Sequence, residues 1–308
     1  VTGMEKINNL LGLRYLSKDQ LEHLLDKSEH FRRMIDRKDI PGQPAKPSNI
    51  LNLFFENSTR TRVSFELAAK MLGHNTVNFT GEGSSIAKGE TLLDTVKNLE
   101  AMKFDIFIVR HGVPGVPKLI SETVSGRVIN AGDGAAEHPT QGLLDILTLK
   151  RAFGKLEGLR VCIVGDISHS RVAMSNIHGL NKLGAKVSVC APRPFLPSAI
   201  EGLHVDVYDD IDDAVKEHDA LNLLRVQLER DAGRLLPSLQ EFNRFYGMTW
   251  ERLSLNPKIR ILHPGPMNIN VELDSRIAES NNSLIFEQVT NGLAVRLAVI
   301  SELAGGKV

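Results

Sequence analysis

Cysteine is nearly absent. The 308 residues hold two, Cys162 and Cys190, too few for a disulfide framework and without the Cys/His spacing that would hold zinc. Both lie in apolar, strand-like runs, where a thiol fills core. Neither sign of charge is in excess: lysine plus arginine and aspartate plus glutamate number 37 each. No global field therefore recruits nucleic acid or an anionic membrane surface, and any anion binding has to be local. No apolar run approaches the length of a membrane span, and the first residues carry no apolar signal region. Repeats of solenoid period and low-complexity tracts are missing as well. These absences leave the expectation of a soluble cytoplasmic protein, long enough for two domains that each bury a core.

The most informative stretch runs from Glu56 to Leu72, E-N-S-T-R-T-R-V-S-F-E-L-A-A-K-M-L. It follows an apolar run at residues 50–55 that reads as a buried strand of a parallel sheet. Phe65, Ala68, Ala69 and Leu72 then recur at the spacing of one helical face, with Asn57 or Ser58 to cap its start. Arg60 and Arg62 stand at the positive end of that helix dipole, where each is disfavoured by about 0.3–1 kcal/mol. Something negative has to compensate. Free backbone N–H groups, the hydroxyls of Ser58, Thr59 and Thr61, and the guanidinium groups together make a phosphate-sized anion site at a strand-to-helix turn.

Around it the chain alternates. An amphipathic helix is expected over 18–38, capped by Ser17 and carrying Leu21, Leu24, Leu25, Ser28 and Phe31 on one side. Strands follow near 50–55, 75–79, 105–109 and 127–130, with helices near 59–72, 90–103, 116–123 and 139–152. The pattern restarts with strands at 159–164, 186–190, 204–208, 219–224 and 259–262, and helices at 170–183, 211–217 and within 237–254. A last helix, about 287–303, is apolar on more than one side through Val289, Leu293, Val295, Leu297, Ala298 and Ile300, and is expected to be buried. The fold class is α/β: two doubly wound domains, each a mostly parallel sheet flanked by helices. Their expected bounds are 1–150, with the helix of 287–308 packing back on it, and 151–286.

In open α/β sheets ligands bind outside the carboxyl ends of the strands. The residues there are Ser58 to Thr61, Arg110 and His111, Gly132 to Gly134 and His138 to Gln141; then Gly165, Asp166, Arg171, Arg225, Gln227, and His263 to Pro266. They are cations, hydroxyls and amides with few carboxylates. Taken singly, His138 before Pro139 reads as a helix start, and Arg171 or Arg225 as a solvated surface group. Together they imply a ligand with several negative groups. Gly165-Asp166 lacks the remaining glycines of a dinucleotide turn, so a nicotinamide cofactor is discounted. The acidic run from Asp209 to Asp213 is expected to cap a helix rather than bind metal. Neither a metal nor a cofactor is expected.

With these residues in place the chain resembles the catalytic chains of the aspartate carbamoyltransferase family over nearly its whole length. The resemblance rests on F-F-E-N-S-T-R-T-R-V-S-F-E at 54–66, K-G-E-T-L-x-D-T at 88–95 and V-R-H at 109–111. It continues in G-D-G-x-x-x-H-P-T-Q-x-L-L-D at 132–145, G-D-I-x-H-S-R-V-A at 165–173, L-R-V-Q-x-E-R at 224–230 and H-P-G-P-M-N at 263–268. The first and fourth are shared in part with ornithine carbamoyltransferases. Those enzymes typically carry cysteine after the last histidine, where Pro264 stands here.

The resemblance implies transfer of the carbamoyl group of carbamoyl phosphate to the amine of L-aspartate, a step of de novo pyrimidine biosynthesis. By it, Ser58, Thr59, Arg60 and Thr61 bind the phosphate, and Arg110, His138 and Gln141 hold the carbamoyl end. Arg171 and Arg225, with Gln227, bind the aspartate carboxylates, and Gly265-Pro266 lines the site through a cis peptide. Ser84 and Lys88 reach from a neighbouring subunit, which makes a homotrimer with shared active sites. A larger assembly with a regulatory chain or a dihydroorotase-type partner stays open. The family's common M-N-R-G-V-E reads Met267-Asn268-Ile269-Asn270-Val271-Glu272, and a frequent arginine after S-R-V-A is Met174, so no family role carries to Ile269, Asn270 or Met174. A carbamoyltransferase for ornithine or acylated ornithine, and a non-catalytic relative, are the alternatives. A cationic or neutral acceptor has no need of two arginines, and a pseudoenzyme no reason to keep Thr61, Lys88, Arg110 and His138.

Overall fold

The computed structural model describes residues 5–39, 41–42, 44, 46–80, 90–226 and 238–305. The chain divides into two units, one of Val1–Leu147 with Thr290–Val308 and one of Thr148–Val289.

The first unit opens with α1 (Lys18–Arg37), started by a reciprocal capping box: Ser17 Oγ accepts the Gln20 N–H at 3.1 Å and Gln20 Oε1 accepts the Ser17 N–H at 2.9 Å. Leu21, Leu24, Leu25, Ser28 and Phe31 form its buried side, as the spacing predicts. Then follow β1 (Asn49–Phe54), α2 (Thr59–Met71), β2 (Asn75–Thr80), α3 (Leu92–Ala101), β3 (Ile106–His111), α4 (Val116–Ser121), β4 (Arg127–Asp133) and α5 (Pro139–Phe153). The four strands form a wholly parallel sheet in the order β2-β1-β3-β4. β1, β3 and β4 are buried along nearly their whole length, which is why they hold long apolar runs rather than alternations, whereas the edge strand β2 is largely exposed, Val77 included. At the β4 edge the chain before α1 adds a short partner: the Leu10 N–H donates to the Val128 carbonyl and the Asn130 N–H to the Leu10 carbonyl, each at 2.9 Å.

In α2, Phe65, Ala68 and Ala69 are fully buried and Leu72 nearly so. Ser58 holds the N-cap position, but its side chain makes no capping hydrogen bond, and Asn57 is exposed. The expected local cap is therefore absent.

The second unit carries β5 (Arg160–Val164), α6 (Arg171–Lys182), β6 (Lys186–Cys190), β7 (Asp206–Tyr208), α7 (Ile211–Glu217) and β8 (Ala220–Leu223). It continues through α8 (Leu239–Tyr246), α9 (Trp250–Leu253), β9 (Arg260–Leu262) and α10 (Ser275–Ala278). Its five strands are also all parallel, in the order β7-β6-β5-β8-β9. Cys162 and Cys190 are free thiols inside this core, and burial pushes Cys190 up to about 12, so both behave as apolar filler. The acidic run caps α7: Asp210 Oδ1 accepts the Asp212 N–H at 2.7 Å, and Asp212 pairs with Arg252 at 2.7 Å.

The last helix, α11 (Ile285–Ala304), runs through the boundary between the units, as α5 does at its other end. From Ala294 to Ile300 it is fully buried, apart from a 5 % exposed Arg296. That guanidinium lies over the Phe65 ring, 5.1 Å from its centre, and donates to the Gly292 carbonyl at 2.9 Å. Burial on all sides fails at the start of the helix, where Phe286 and Val289 are exposed. Apolarity permits burial without requiring it, so the apolar count overreached by about one turn.

Candidate functional site

Within the first unit the chain leaves β1 toward β2 and leaves β3 toward β4, so a crevice opens outside the carboxyl ends of β1 and β3. Ser58, Thr59, Arg60 and Thr61 follow β1 into the first turn of α2, and Arg110 lies near the end of β3. Thr61 is buried while Thr59 and Arg60 are exposed. Because the Ser58 side chain does not cap α2, the N–H groups of that turn are not taken by the usual capping oxygen. Arg110 is held from two sides. Its Nη1 donates to the Ala131 carbonyl at 3.1 Å and its Nε lies 3.5 Å from Glu56 Oε2.

The neighbouring His111 plays a local part: its Nδ1 accepts the Val113 N–H at 2.9 Å and its ring meets Phe55 edge-on. Burial holds its pKa below the ordinary histidine value, against the opposing field of Glu56. β4 leads through Gly132, Asp133 and Gly134 toward His138. Gly134 has φ +47°, and a Cβ there would fall 2.5 Å from Pro114 Cδ, so only glycine fits. His138 is buried immediately before α5, and its carbonyl accepts the Gln141 N–H at 2.9 Å. One turn into the helix Gln141 Nε2 donates to Asp145 Oδ1 at 2.9 Å, which turns its Oε1 away as an acceptor.

In the second unit β5 proceeds to β6 and β8 to β9, on opposite sides, so the corresponding crevice lies outside β5 and β8. Two arginines stand at this one place. Arg171 is the first residue of α6 after β5, nine-tenths buried, behind a Ser170 cap that accepts the Ala173 N–H at 3.1 Å. Arg225 follows β8 two residues on and is half-buried. The turn after β5 requires Gly165, at φ +124° with Leu224 Cβ 3.1 Å from where a Cβ would stand.

The loop carrying Arg225 is tied to the loop after β9 by Glu272, which is 2 % exposed. Its Oε1 accepts the Val226 N–H at 2.6 Å and Asn268 Nδ2 at 2.7 Å, and its Oε2 accepts the Asn268 N–H at 2.8 Å. His263 Nδ1 accepts the Gly265 N–H at 2.8 Å, which leaves Nε2 as the protonated nitrogen, 3.7 Å from Glu272. The Gly265-Pro266 peptide is cis. Asn270 takes φ +61°, a conformation asparagine tolerates where the resembling motif has glycine, so this departure preserves the turn.

The structure thus brings Ser58, Thr59, Arg60, Thr61, Arg110, His138 and Gln141 to one end of the first sheet. It brings Arg171, Arg225, Gly265 and Pro266 to the same end of the second. Ser84, Lys88 and Gln227 lie outside the described residues. Sequence reasoning passed over the carboxylates behind these groups: Glu56, Glu137, Asp145 and Glu272. The first three stand inside motifs read for their cations and Glu272 in a stretch read only for its departures, and only the fold shows what their carboxylates hold. Among the described residues no group of three or more His, Cys, Asp or Glu side chains is placed to hold a metal ion, and no helix is long and apolar enough to cross a membrane.

Residues 8–151 match the family model for the aspartate/ornithine carbamoyltransferase carbamoyl-P binding domain, and residues 157–303 that for the Asp/Orn binding domain. The chain is 53 % identical over 302 residues to the aspartate carbamoyltransferase catalytic subunit of Gemmatimonas aurantiaca, covering 97 % of this chain and 94 % of that one. It is 48 % identical to that of Syntrophotalea carbinolica, covering 97 % and 96 %. Among solved structures it is similar to aspartate transcarbamoylase from Trypanosoma cruzi in complex with N-(phosphonacetyl)-L-aspartic acid, with TM-score 0.86 and 28 % identity over 97 % of this chain and 96 % of that one. The catalytic subunit of M. jannaschii aspartate transcarbamoylase aligns with TM-score 0.84 and 30 % identity over 97 % and 98 %.

Proposed function

The chain belongs to the aspartate/ornithine carbamoyltransferase family, and within it we propose that the protein is an aspartate carbamoyltransferase. It transfers the carbamoyl group of carbamoyl phosphate to the amine of L-aspartate, giving N-carbamoyl-L-aspartate and phosphate, as a cytoplasmic step of de novo pyrimidine biosynthesis. The observation that carries the choice of acceptor is the pair Arg171 and Arg225 outside the adjacent strands β5 and β8. Two guanidinium groups at one crevice suit a dicarboxylate. An acceptor with a cationic side chain would meet like charge there.

In this reading the first turn of α2 receives the phosphate: backbone N–H groups and the hydroxyls of Ser58, Thr59 and Thr61 donate to its oxygens, and Arg60 supplies charge. Arg110, aimed by Glu56 and the Ala131 carbonyl, and His138 donate to the carbamoyl oxygen. Gln141, its nitrogen engaged by Asp145, accepts from the carbamoyl NH2 through Oε1. Arg171, Arg225 and Gln227 hold the aspartate carboxylates, and Gly265-Pro266 lines the place where the amine enters.

The neutral amine attacks the carbonyl carbon, and its electron pair forms the C–N bond while the carbonyl oxygen becomes an oxyanion. Collapse breaks the C–O bond to phosphate, which leaves with the electron pair and takes up the amine proton. No enzyme nucleophile is required. Rate enhancement comes from holding two anions together against their repulsion and from donors aimed at the oxyanion. Ser84 and Lys88 are supplied by a neighbouring chain of a homotrimer, where Lys88 helps neutralise the leaving phosphate.

Phosphate release from carbamoyl phosphate by the purified chain, with L-aspartate and L-ornithine in parallel, tests the assignment. Release is expected with aspartate and not with ornithine. Ornithine-dependent release would replace the acceptor, and release with neither would leave the chain a non-catalytic relative.

A further inference from the structure

Glu137 precedes His138 and carries a carboxylate that the transfer chemistry does not use. The side chain is 2 % exposed, and both oxygens are engaged by one short segment. Leu13 N–H donates to Oε2 at 2.6 Å; Arg14 N–H and Arg14 Nε donate to Oε1 at 3.3 and 2.7 Å. The segment lies close: a Cβ on Gly12 would fall 2.2 Å from Oε1, so the approach needs glycine for space rather than for backbone angle. It is anchored in turn by the pairing of Leu10 along β4 and by the Asn130 Nδ2 bond to the Leu11 carbonyl at 2.8 Å.

The backbone of Glu137 is fixed as well. Its N–H donates to Asp133 Oδ1 at 3.0 Å, and its carbonyl accepts the Asp133 N–H at 3.1 Å and Asn130 Nδ2 at 3.3 Å. On the other side of His138 stands Pro139, whose ring sets φ as α5 begins. His138 is thus held at the residue before it and at the residue after it.

We propose that Glu137 is a positioning residue for His138, held by a strap of residues 12–14, and this rests on the reading of His138 as an oxyanion donor. A buried carboxylate paired with one part-exposed arginine is weak support for stability, since a well-packed apolar residue commonly does as well. What it supplies here is direction. Three donors converge on two oxygens, which fixes the carboxylate, the backbone at 137 and hence the origin of the His138 side chain.

The test uses the complete chain with E137A, E137Q and R14M. Competent sites are counted by titration with N-(phosphonacetyl)-L-aspartate, so that loss of folded protein is separated from loss of rate. In E137A kcat per counted site is expected to fall on the order of ten- to a hundredfold, as a displacement of about 1 Å does. KM for carbamoyl phosphate should stay within about twofold, because the phosphate-binding turn lies on α2. E137Q keeps one acceptor oxygen for the strap but turns its NH2 toward the remaining donors, so it is expected to recover part of the rate; R14M, which leaves the carboxylate and the Leu13 bond, should recover more. Full kcat per site in E137A, or E137Q no better than E137A, overturns the proposal. If E137A does not fold, the E137Q and R14M rates decide it. Amide exchange at 138–142 provides a readout independent of turnover: it should accelerate in whichever variants fold, and unchanged protection sinks the proposal even if the wild type proves to be no carbamoyltransferase.

Discussion

Arg60 sits exposed in the first turn of α2, so its removal takes nothing from the core. Surface substitutions of that kind shift stability by about 0.5 kcal/mol or less. Arg60→Ala should therefore melt with the wild type while kcat falls on the order of a hundredfold or more, the scale of losing one charge-stabilising donor. Near-normal turnover of a folded Arg60→Ala chain would remove the phosphate from this turn. Residues of this type were legible in the sequence because they violate a local rule: cations at the positive end of a helix ask for an anion. Glu137 and Glu272 violate nothing locally. A glutamate in a loop reads as solvated, and only long-range hydrogen bonds to Leu13 and Val226 reveal that it faces inward. Asn270 lies between the two cases, since asparagine hints at a left-handed turn without requiring one.

At the scale of elements, β6 and the end of α7 are stitched together by His218. Its Nδ1 meets the Ala214 carbonyl at 2.8 Å and its Nε2 meets Ser188 Oγ at 2.8 Å, both buried. Burial holds its pKa below the ordinary histidine value, as it does for His74, whose Nδ1 accepts the Ser48 N–H at 3.1 Å. The folded state therefore favours neutral imidazoles. Their contribution is fully present above the unfolded pKa of about 6.5 and is lost as pH falls below it toward the folded value. The urea midpoint should decline between about pH 7 and pH 5.5, and His218→Gln should lower it at pH 7.5 while flattening its decline. A wild-type midpoint indifferent to pH in that window contradicts the account. Nothing in the spacing of residues 211–223 announces this contact, because it joins elements 30 residues apart. The elements themselves were legible: strong apolar periods place α1, α2 and the strands. The missing Ser58 cap and the exposed start of α11 were not, being decided by what surrounds them.

For the whole molecule, alternation of strand and helix was enough to read two parallel α/β sheets from the sequence, since a parallel pair needs a crossover. Strand order was not legible, and it is the order that sets Ser58 to Thr61 beside Arg110 and Arg171 beside Arg225. The proposed sharing of sites in a homotrimer has a numerical signature. Mixing chains bearing Arg60→Ala with chains bearing Lys88→Ala, each inactive alone, should regenerate about a quarter of the sites by random assembly. Mixtures that stay inactive after dissociation and reassembly would make each chain's site its own. The division of the chain has a further consequence, for its synthesis. The first unit is interrupted in sequence, and its buried helix residues from Ala294 to Leu303 come last. On the ribosome, residues 5–147 emerge with the seat of α11 uncovered, and the second unit is translated before the segment that closes the first. The first unit, started before the second, is therefore completed after it, and until α11 arrives its apolar seat stays open to solvent.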